Sequence, residues 1–305
     1  METRSWKKIN SKYILSQIFD ILMMPKALNI IRYNKEIKKK LKKKLLDYKN
    51  EYEKIVIEII PKDNEYGTFI NFSPKKKSFY HFYFDGNNKM IDRNFIKKDE
   101  KVSKIKIIID NKVKSFYQLF TNCKCIKRIN FIKFNRNNIS NMNKMFKGCS
   151  SLENINFSDF NTDNVIKMNS MFDGCSSLKE LNLSNFNTSN VFDMRFMFNR
   201  CSSLKELNLS NFNTSNVVDM TCMFNKCSSL KELNLSNFNT DRTFLMFRMF
   251  SRCSSLKTLN ISNFNIENTL MYFSMLDNCE PEKIICSDEF KNKMKNSYPD
   301  LFISE

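Results

Sequence analysis

The feature that most constrains the fold of this chain is a period of 26 residues that runs through most of its length. Seven cysteines recur at that spacing: Cys123, Cys149, Cys175, Cys201, Cys227, Cys253 and Cys279. A phenylalanine stands three residues before each of the first six, and three central copies share the identical segment CSSLKELNLSNFNT. A fixed period of this length is typical of a repeat architecture, in which each copy buries its apolar side chains against its neighbours.

The apolar residues within one copy predict a short strand, a turn and a helix. Leu207 and Leu209 alternate with the polar Asn208, which indicates a strand with one buried and one solvent face. The turn-forming cluster 213–216 follows. The next apolar residues fall at i, i+3, i+7 and i+10, as on one face of a helix; they are Val217, Met220, Phe224 and Cys227.

The pattern resembles the BspA-like class of leucine-rich repeats, which carries MFxxCSSLxxLxLSxFxTxNVxxM, over residues 113–279. The resemblance implies a curved solenoid with a strand-lined concave face and a role in protein binding. We therefore expect a non-catalytic scaffold that binds partner proteins. Many BspA-like proteins are surface proteins or adhesins, which is the alternative. The apolar stretch 13–31 is interrupted by polar residues and has no cleavage site, so we expect a cytoplasmic protein without a membrane span.

We predict an α/β fold with four parts: a helical basic segment at 1–53, a β-rich cap at 54–112, a leucine-rich-repeat solenoid of 26-residue repeats at 113–286, and a C-terminal cap at 287–305. Strands are expected at 55–60 and 104–109, and a hairpin is expected from 79 to 91. The segment 284–285 predicts a last strand, and 288–296 predicts a polar closing helix.

The first segment also carries apolar residues at helical spacing: Ile14, Leu15, Ile18, Phe19 and Leu22. They match the pattern ILxxIFxxL, so the segment resembles an F-box, although the Leu-Pro that usually precedes the pattern is missing. The resemblance implies that these residues dock an adaptor of a ubiquitin ligase, while the repeats select its substrate.

The positive charge of the chain is confined to its first part. Residues 1–133 hold 32 Lys and Arg against 14 Asp and Glu, which accounts for the whole net charge of +18. The lysine runs at 38–40 and 42–44 are open to two interpretations. They bind nucleic acid or an anionic membrane, or they form the solvated face of an amphipathic helix, which we favour.

The residue types argue against an enzyme, a metal site and a cofactor. One histidine, His81, and four scattered glycines exclude a multi-histidine metal site and a glycine-rich phosphate loop. Zinc sites use close cysteine pairs, whereas only Cys123 and Cys125 are close here, without a histidine partner. We expect the periodic cysteines to be buried and reduced. Cys222 lies outside the period and is predicted to be an exposed thiol.

Candidate partner-binding residues lie on the polar face of the predicted strands. They form a column of amides, Asn130, Asn156, Asn182, Asn208, Asn234 and Asn260, flanked by Lys179, Glu180, Lys205, Glu206, Lys231 and Glu232. The amides are either a docking surface or a hydrogen-bonded ladder that stabilises the stack, and both interpretations stay open. The predicted helices vary more between copies, and Phe196 and Phe247 are the best anchors for a partner there.

Overall fold

The fold is given by a computed structural model, which describes residues 50–157 and 160–302. Residues from Ile55 onward belong to one compact unit. The predicted adaptor-docking residues Ile14, Leu15, Ile18, Phe19 and Leu22 lie outside the described residues, as do the two lysine runs.

The region before the repeats is built from short strands, as its β-branched and aromatic composition indicates. These are β1 (Ile55–Pro61), β2 (Gly67–Thr68), β3 (Tyr80–Phe84), β4 (Phe95–Ile96) and β5 (Ile105–Ile109), with a 3-10 helix at Pro74–Phe79 before β3. The strands predicted at 55–60 and 104–109 are confirmed. The expected hairpin is reduced to one antiparallel bridge, between Phe82 and Ile91.

One five-stranded sheet joins this region to the first repeats. Its order is β3-β5-β1-β6-β7, where β6 is Ile126–Lys133 and β7 is Asn154–Asn156. β1 pairs antiparallel with β6, whereas β6 pairs parallel with β7, with Ile129 opposite Ile155. Pairing therefore changes from antiparallel to parallel at β6, where the first repeat begins, and this sheet ends at β7.

The later repeats contain a second, parallel sheet. It consists of β8 (Glu232–Asn234), β9 (Thr258–Asn260) and β10 (Lys283–Ile285), with Leu233 opposite Leu259 and Leu259 opposite Ile284. The predicted alternation of burial is confirmed, since Leu207 and Leu209 are buried and Asn208 between them is exposed. The strand predicted there is wrong, however, because residues 207–209 and the equivalent residues 181–183 form no strand. The architecture is a repeat-like α/β fold with mostly strands, few helices and no closed barrel among the described residues.

The helix predicted in each copy is wrong. The segment 220–227 instead forms two consecutive turns, closed by bonds from Met223 N–H to Met220 C=O and from Cys227 N–H to Phe224 C=O. Cys222 and Lys226 occupy the third positions with φ of 55° and 62°, as in type II turns. The intervening N–H groups bond to the next repeat instead of to residue i−4; they belong to Met220, Cys222, Phe224 and Lys226.

The turn segments bury the same residues that a helix would have buried. Consecutive phenylalanines of the 26-residue column stack almost parallel, with ring centroids 5.7 Å apart for Phe172 and Phe198 and 5.6 Å apart for Phe198 and Phe224. The periodic cysteines are fully buried, and their S–H groups donate to backbone carbonyls, as Cys201 does to Phe172 over 3.2 Å. This confirms their packing role.

The C-terminal residues cover part of the last repeat. The predicted strand at 284–285 lies within β10, and the predicted closing helix is α1 (Asp288–Lys295), capped by the hydroxyl of Ser287. Phe290 and Met294 of α1 are buried against the core. A 3-10 helix at Pro299–Phe302 follows. None of the helices in the described ranges combines the length and the apolar character that crossing a bilayer requires.

Candidate interaction surfaces

The first candidate surface, here called the strand face, is formed by the exposed residues of β7, β8 and β9 and of the equivalent segments 181–183 and 207–209, which form no strand. Asn182, Asn208 and Asn234 are exposed, and each uses its amide oxygen to accept the backbone N–H two residues later, at 3.0–3.1 Å. No hydrogen bond joins Asn182, Asn208 and Asn234 to one another. These three amides therefore do not form the ladder that stabilises the stack, and their Nδ2 groups bond to no described residue.

Charged side chains flank these amides in two rows. Lys205, Glu206, Lys231 and Glu232 are exposed and make no ion pair with any other described residue. At the start of the row Glu180 accepts a hydrogen bond from Asn154 at 2.8 Å, and Lys179 lies 3.7 Å from Glu153.

A groove of about 680 Å³ runs along this face. Leu181 and Leu207 line it together with polar residues that include Asn182, Asn208 and Glu206. The face thus offers amide donors and carboxylate acceptors at the spacing of adjacent parallel strands, about 4.8 Å.

Other columns hold the repeats together, and the sequence analysis did not single them out. Buried threonines bond twice to the next copy: the Thr214 hydroxyl donates to the Asn239 carbonyl at 2.8 Å and accepts its N–H at 2.9 Å. The Asn211 side chain donates to the carbonyls of Leu183 and Phe186 in the preceding copy. Their 26-residue spacing is the same as that of the exposed amides of the strand face, which is why sequence alone did not distinguish the two columns.

The second candidate surface, here called the turn face, is the exposed side of the turn segments. It carries an apolar column that the sequence analysis missed: Ile166, Phe192, Val218, Phe244 and Leu270. Backbone bonds place consecutive members side by side, such as Phe244 N–H to Val218 C=O at 3.0 Å and Leu270 N–H to Phe244 C=O at 2.9 Å. The sequence could have revealed this column, because its members are also spaced 26 residues apart.

The two predicted anchors on this side are only half-buried. Phe247 lies against Phe273, with ring centroids 4.8 Å apart, while Phe196 stands at a left-handed turn position with φ of 58°. The prediction for Cys222 is wrong, because this residue is buried and only 6% exposed.

Comparison with known families places the repeats in one group. Residues 114–208 and 181–288 match the family described as Mycoplasma protein of unknown function, DUF285, and the two matches together span more than half of the chain. The chain belongs to this family. No curated protein matches it. The DUF285 region contains most of the strand face and of the turn face.

The side chains of the DUF285 region offer little reactive chemistry in the part of the chain that the structure describes. No group of three His, Cys, Asp or Glu side chains there could hold a metal ion. Burial raises the pKa of the Cys201 thiol well above its usual range and that of Cys227 to about 12, so both stay protonated and poorly nucleophilic. Outside this region, His81 lies 3.4 Å from Asp110.

Proposed function

We propose that this chain is a leucine-rich-repeat solenoid of the BspA-like kind, which binds another protein through its strand face and has no catalytic role. The observation that carries the proposal is the repeated set of side-chain groups left without partners on that face. The Nδ2 groups of Asn182, Asn208 and Asn234 bond to no described residue. Such groups cost nothing in water and become available to a partner that covers them.

The groove favours a protein partner over a small molecule. It is open along its length, and polar amides and charged side chains line it more than apolar ones do. Small-molecule sites are usually enclosed and mainly apolar, with few polar groups. An extended polypeptide, in contrast, presents a donor or an acceptor at each residue and can follow a repeated row of amides and carboxylates.

The test is photo-crosslinking of the full-length chain in its native cells. A photoreactive residue replaces Asn208, and the control carries it at Asn88, an exposed asparagine in the turn after β3, at the edge of the five-stranded sheet opposite β7. We expect a defined protein to crosslink from position 208 and not from position 88. The same protein should be lost when Lys205→Glu and Lys231→Glu are combined.

The charge reversal needs a matched control. Lys114→Glu combined with Lys124→Glu changes the net charge by the same amount at two exposed lysines away from the strand face. If position 208 crosslinks no protein, or if both double variants reduce crosslinking equally, the proposal is overturned.

A further inference from the structure

The turn face ends in an apolar patch on the last two repeats. It consists of Phe244, Phe247, Leu270, Met271 and Phe273; Leu270 is 78% exposed and Phe273 is 54% exposed. Leu245 bridges to Met271 and the Phe247 and Phe273 rings touch, so these residues form one continuous surface. The equivalents of Phe244 and Phe247 four copies earlier are the polar Ser140 and Asn143, whereas Ile166 and Tyr117 are isolated exposed equivalents of Leu270 and Phe273. Contiguous exposed apolar surface of this kind marks an interaction site.

Three arginines lie beside this patch without an acidic partner. Arg248 packs over the ring of Phe247, with its guanidinium carbon 4.8 Å from the ring centroid. The Arg242 side chain donates to the Asn216 amide, and Arg252 is exposed. Among residues 50–157 and 160–302, none of the three forms an ion pair. The three guanidinium groups are therefore free to pair with carboxylates of a partner, although the exposed Glu267 lies on the same copy as Leu270.

Unused backbone donors complete the surface. In earlier repeats the N–H groups at two turn positions donate to the following copy, as Met246 does to Met271 and Arg248 to Phe273. The equivalent groups of the last copy belong to Tyr272 and Ser274, and they meet no acceptor in the described part of the chain. The neighbouring Leu276 N–H is capped by the Tyr298 hydroxyl at 3.1 Å. The C-terminal cap thus leaves the side next to Leu270 and Phe273 open.

We propose that this patch is a second binding site, which takes an extended acidic peptide that carries apolar side chains. Carbonyl groups of the peptide accept hydrogen bonds from the N–H groups of Tyr272 and Ser274, in the same way as the carbonyl groups of a following repeat do elsewhere in the chain. Its apolar side chains cover Leu270 and Phe273, and its carboxylates pair with the arginines. Addition of a strand to an open edge is a common mode of peptide recognition.

The backbone donors favour a peptide over a membrane. Apolar side chains next to arginines would also suit an anionic bilayer. However, the N–H groups of Tyr272 and Ser274 lie beside the apolar side chains and would be buried without acceptors if Leu270 and Phe273 entered the hydrocarbon. Each unsatisfied group costs several kcal/mol in a bilayer core. A peptide satisfies them.

The test is a selection from a display library of random dodecapeptides on the immobilised full-length chain. Each round is counter-selected on the variant that combines Leu270→Asn with Phe273→Ser, both at exposed sites. We expect the enriched peptides to combine acidic and apolar residues. They should bind the double variant roughly tenfold more weakly than the unmodified chain, which is the scale of central interface residues. Binding should also slow the hydrogen exchange of the Tyr272 and Ser274 amides.

Matched controls come from the same columns at the other end of the face. Ile166→Asn combined with Tyr117→Ser removes equivalent exposed side chains and should leave the affinity within twofold. Arg248→Glu should weaken binding, whereas Lys144→Glu, at the same turn position four copies back along the column, should not.

Three results would overturn the proposal. The first is enrichment of peptides without acidic residues, and the second is equal binding of the enriched peptides to the patch variant and to the control. The third is a failure to enrich any peptide while vesicles of phosphatidylcholine and phosphatidylserine bind the unmodified chain but not the patch variant. The strand-face variants test a different surface, so the proposed function stands or falls separately.

Discussion

The threonine column makes the sharpest prediction about what holds the repeats together. Thr214 is 1% exposed, and its hydroxyl makes two hydrogen bonds to the backbone of Asn239, in the next copy. Thr214→Val keeps the shape of the side chain but leaves one N–H and one C=O without a partner. Each unsatisfied buried group costs about 1–3 kcal/mol, and the added methyl group returns less than about 1 kcal/mol.

We therefore expect Thr214→Val to lower the free energy of unfolding by about 3 kcal/mol. Total stabilities of domains are usually about 5–15 kcal/mol, so the loss is easily measured. The assay is urea unfolding followed by circular dichroism, with the slope of free energy against urea compared between variants. An unchanged slope shows that both proteins expose the same surface when they unfold, as the comparison requires.

Two further variants separate the hydrogen bonds from other effects. Thr221→Val makes the same chemical change at a half-buried position of the same repeat, where the hydroxyl bonds to no described residue, and should change stability by less than about 0.5 kcal/mol. Thr214→Ser keeps both bonds and loses one methyl group, so it should cost about 1 kcal/mol. If Thr214→Val costs no more than Thr221→Val, the hydroxyl bonds do not hold adjacent copies together.

Two other predictions concern the turn segments and the cysteines. Arg200 has a φ of 60° at the position where Gly148 and Gly174 stand in earlier copies. Because glycine adopts positive φ without the steric cost of a side chain, Arg200→Gly should stabilise the chain by about 0.5–1 kcal/mol and raise the urea midpoint. A lower midpoint would contradict this. Iodoacetamide should modify the half-buried Cys286 of the folded chain first, and it should modify Cys201 only after urea unfolding, because burial keeps the Cys201 thiol protonated. Mass spectrometry identifies the modified residues, and modification of Cys201 in the folded chain would contradict the buried position of the cysteine column.

The strands and the buried columns were predictable because their evidence lies within one period. In β8 the buried Leu233 is followed by the exposed Asn234 and the buried Leu235, and that pattern is compatible with one strand orientation only. The identical residues 207–209 keep the alternation of burial but form no strand, which the pattern alone could not show. The buried cysteines and phenylalanines followed from the same period. In the cap, the alternation of Ile55, Ile57 and Ile59 and the run before Asp110 gave β1 and β5 directly.

The helix prediction failed because two structures share one spacing. Val217, Met220, Phe224 and Cys227 are separated by three, four and three residues, which suits both a helix and consecutive four-residue turns that point their corners inward. The choice depends on where the backbone N–H groups bond, and here half of them reach the next copy, which no single repeat reveals. The sequence evidence against a helix was the pair Gly148 and Gly174, which stand 26 residues apart inside the predicted helices. Glycine is the usual residue at turn positions with positive φ, and both glycines have positive φ in the structure.

The strand face and the apolar patch would contribute in different ways to the recognition of one partner. The strand residues of the copies that start at Cys175, Cys201 and Cys227 are identical, so a partner bound along the strand face could shift by a whole repeat and meet the same side chains again. The repeated side chains therefore provide contact area but do not fix the position of the partner along the strand face. The apolar patch around Leu270 and Phe273 occurs once among the described residues, at one end of the array. A partner that also reaches that patch is held in a single register, and we expect specificity to depend on the patch more than on the groove.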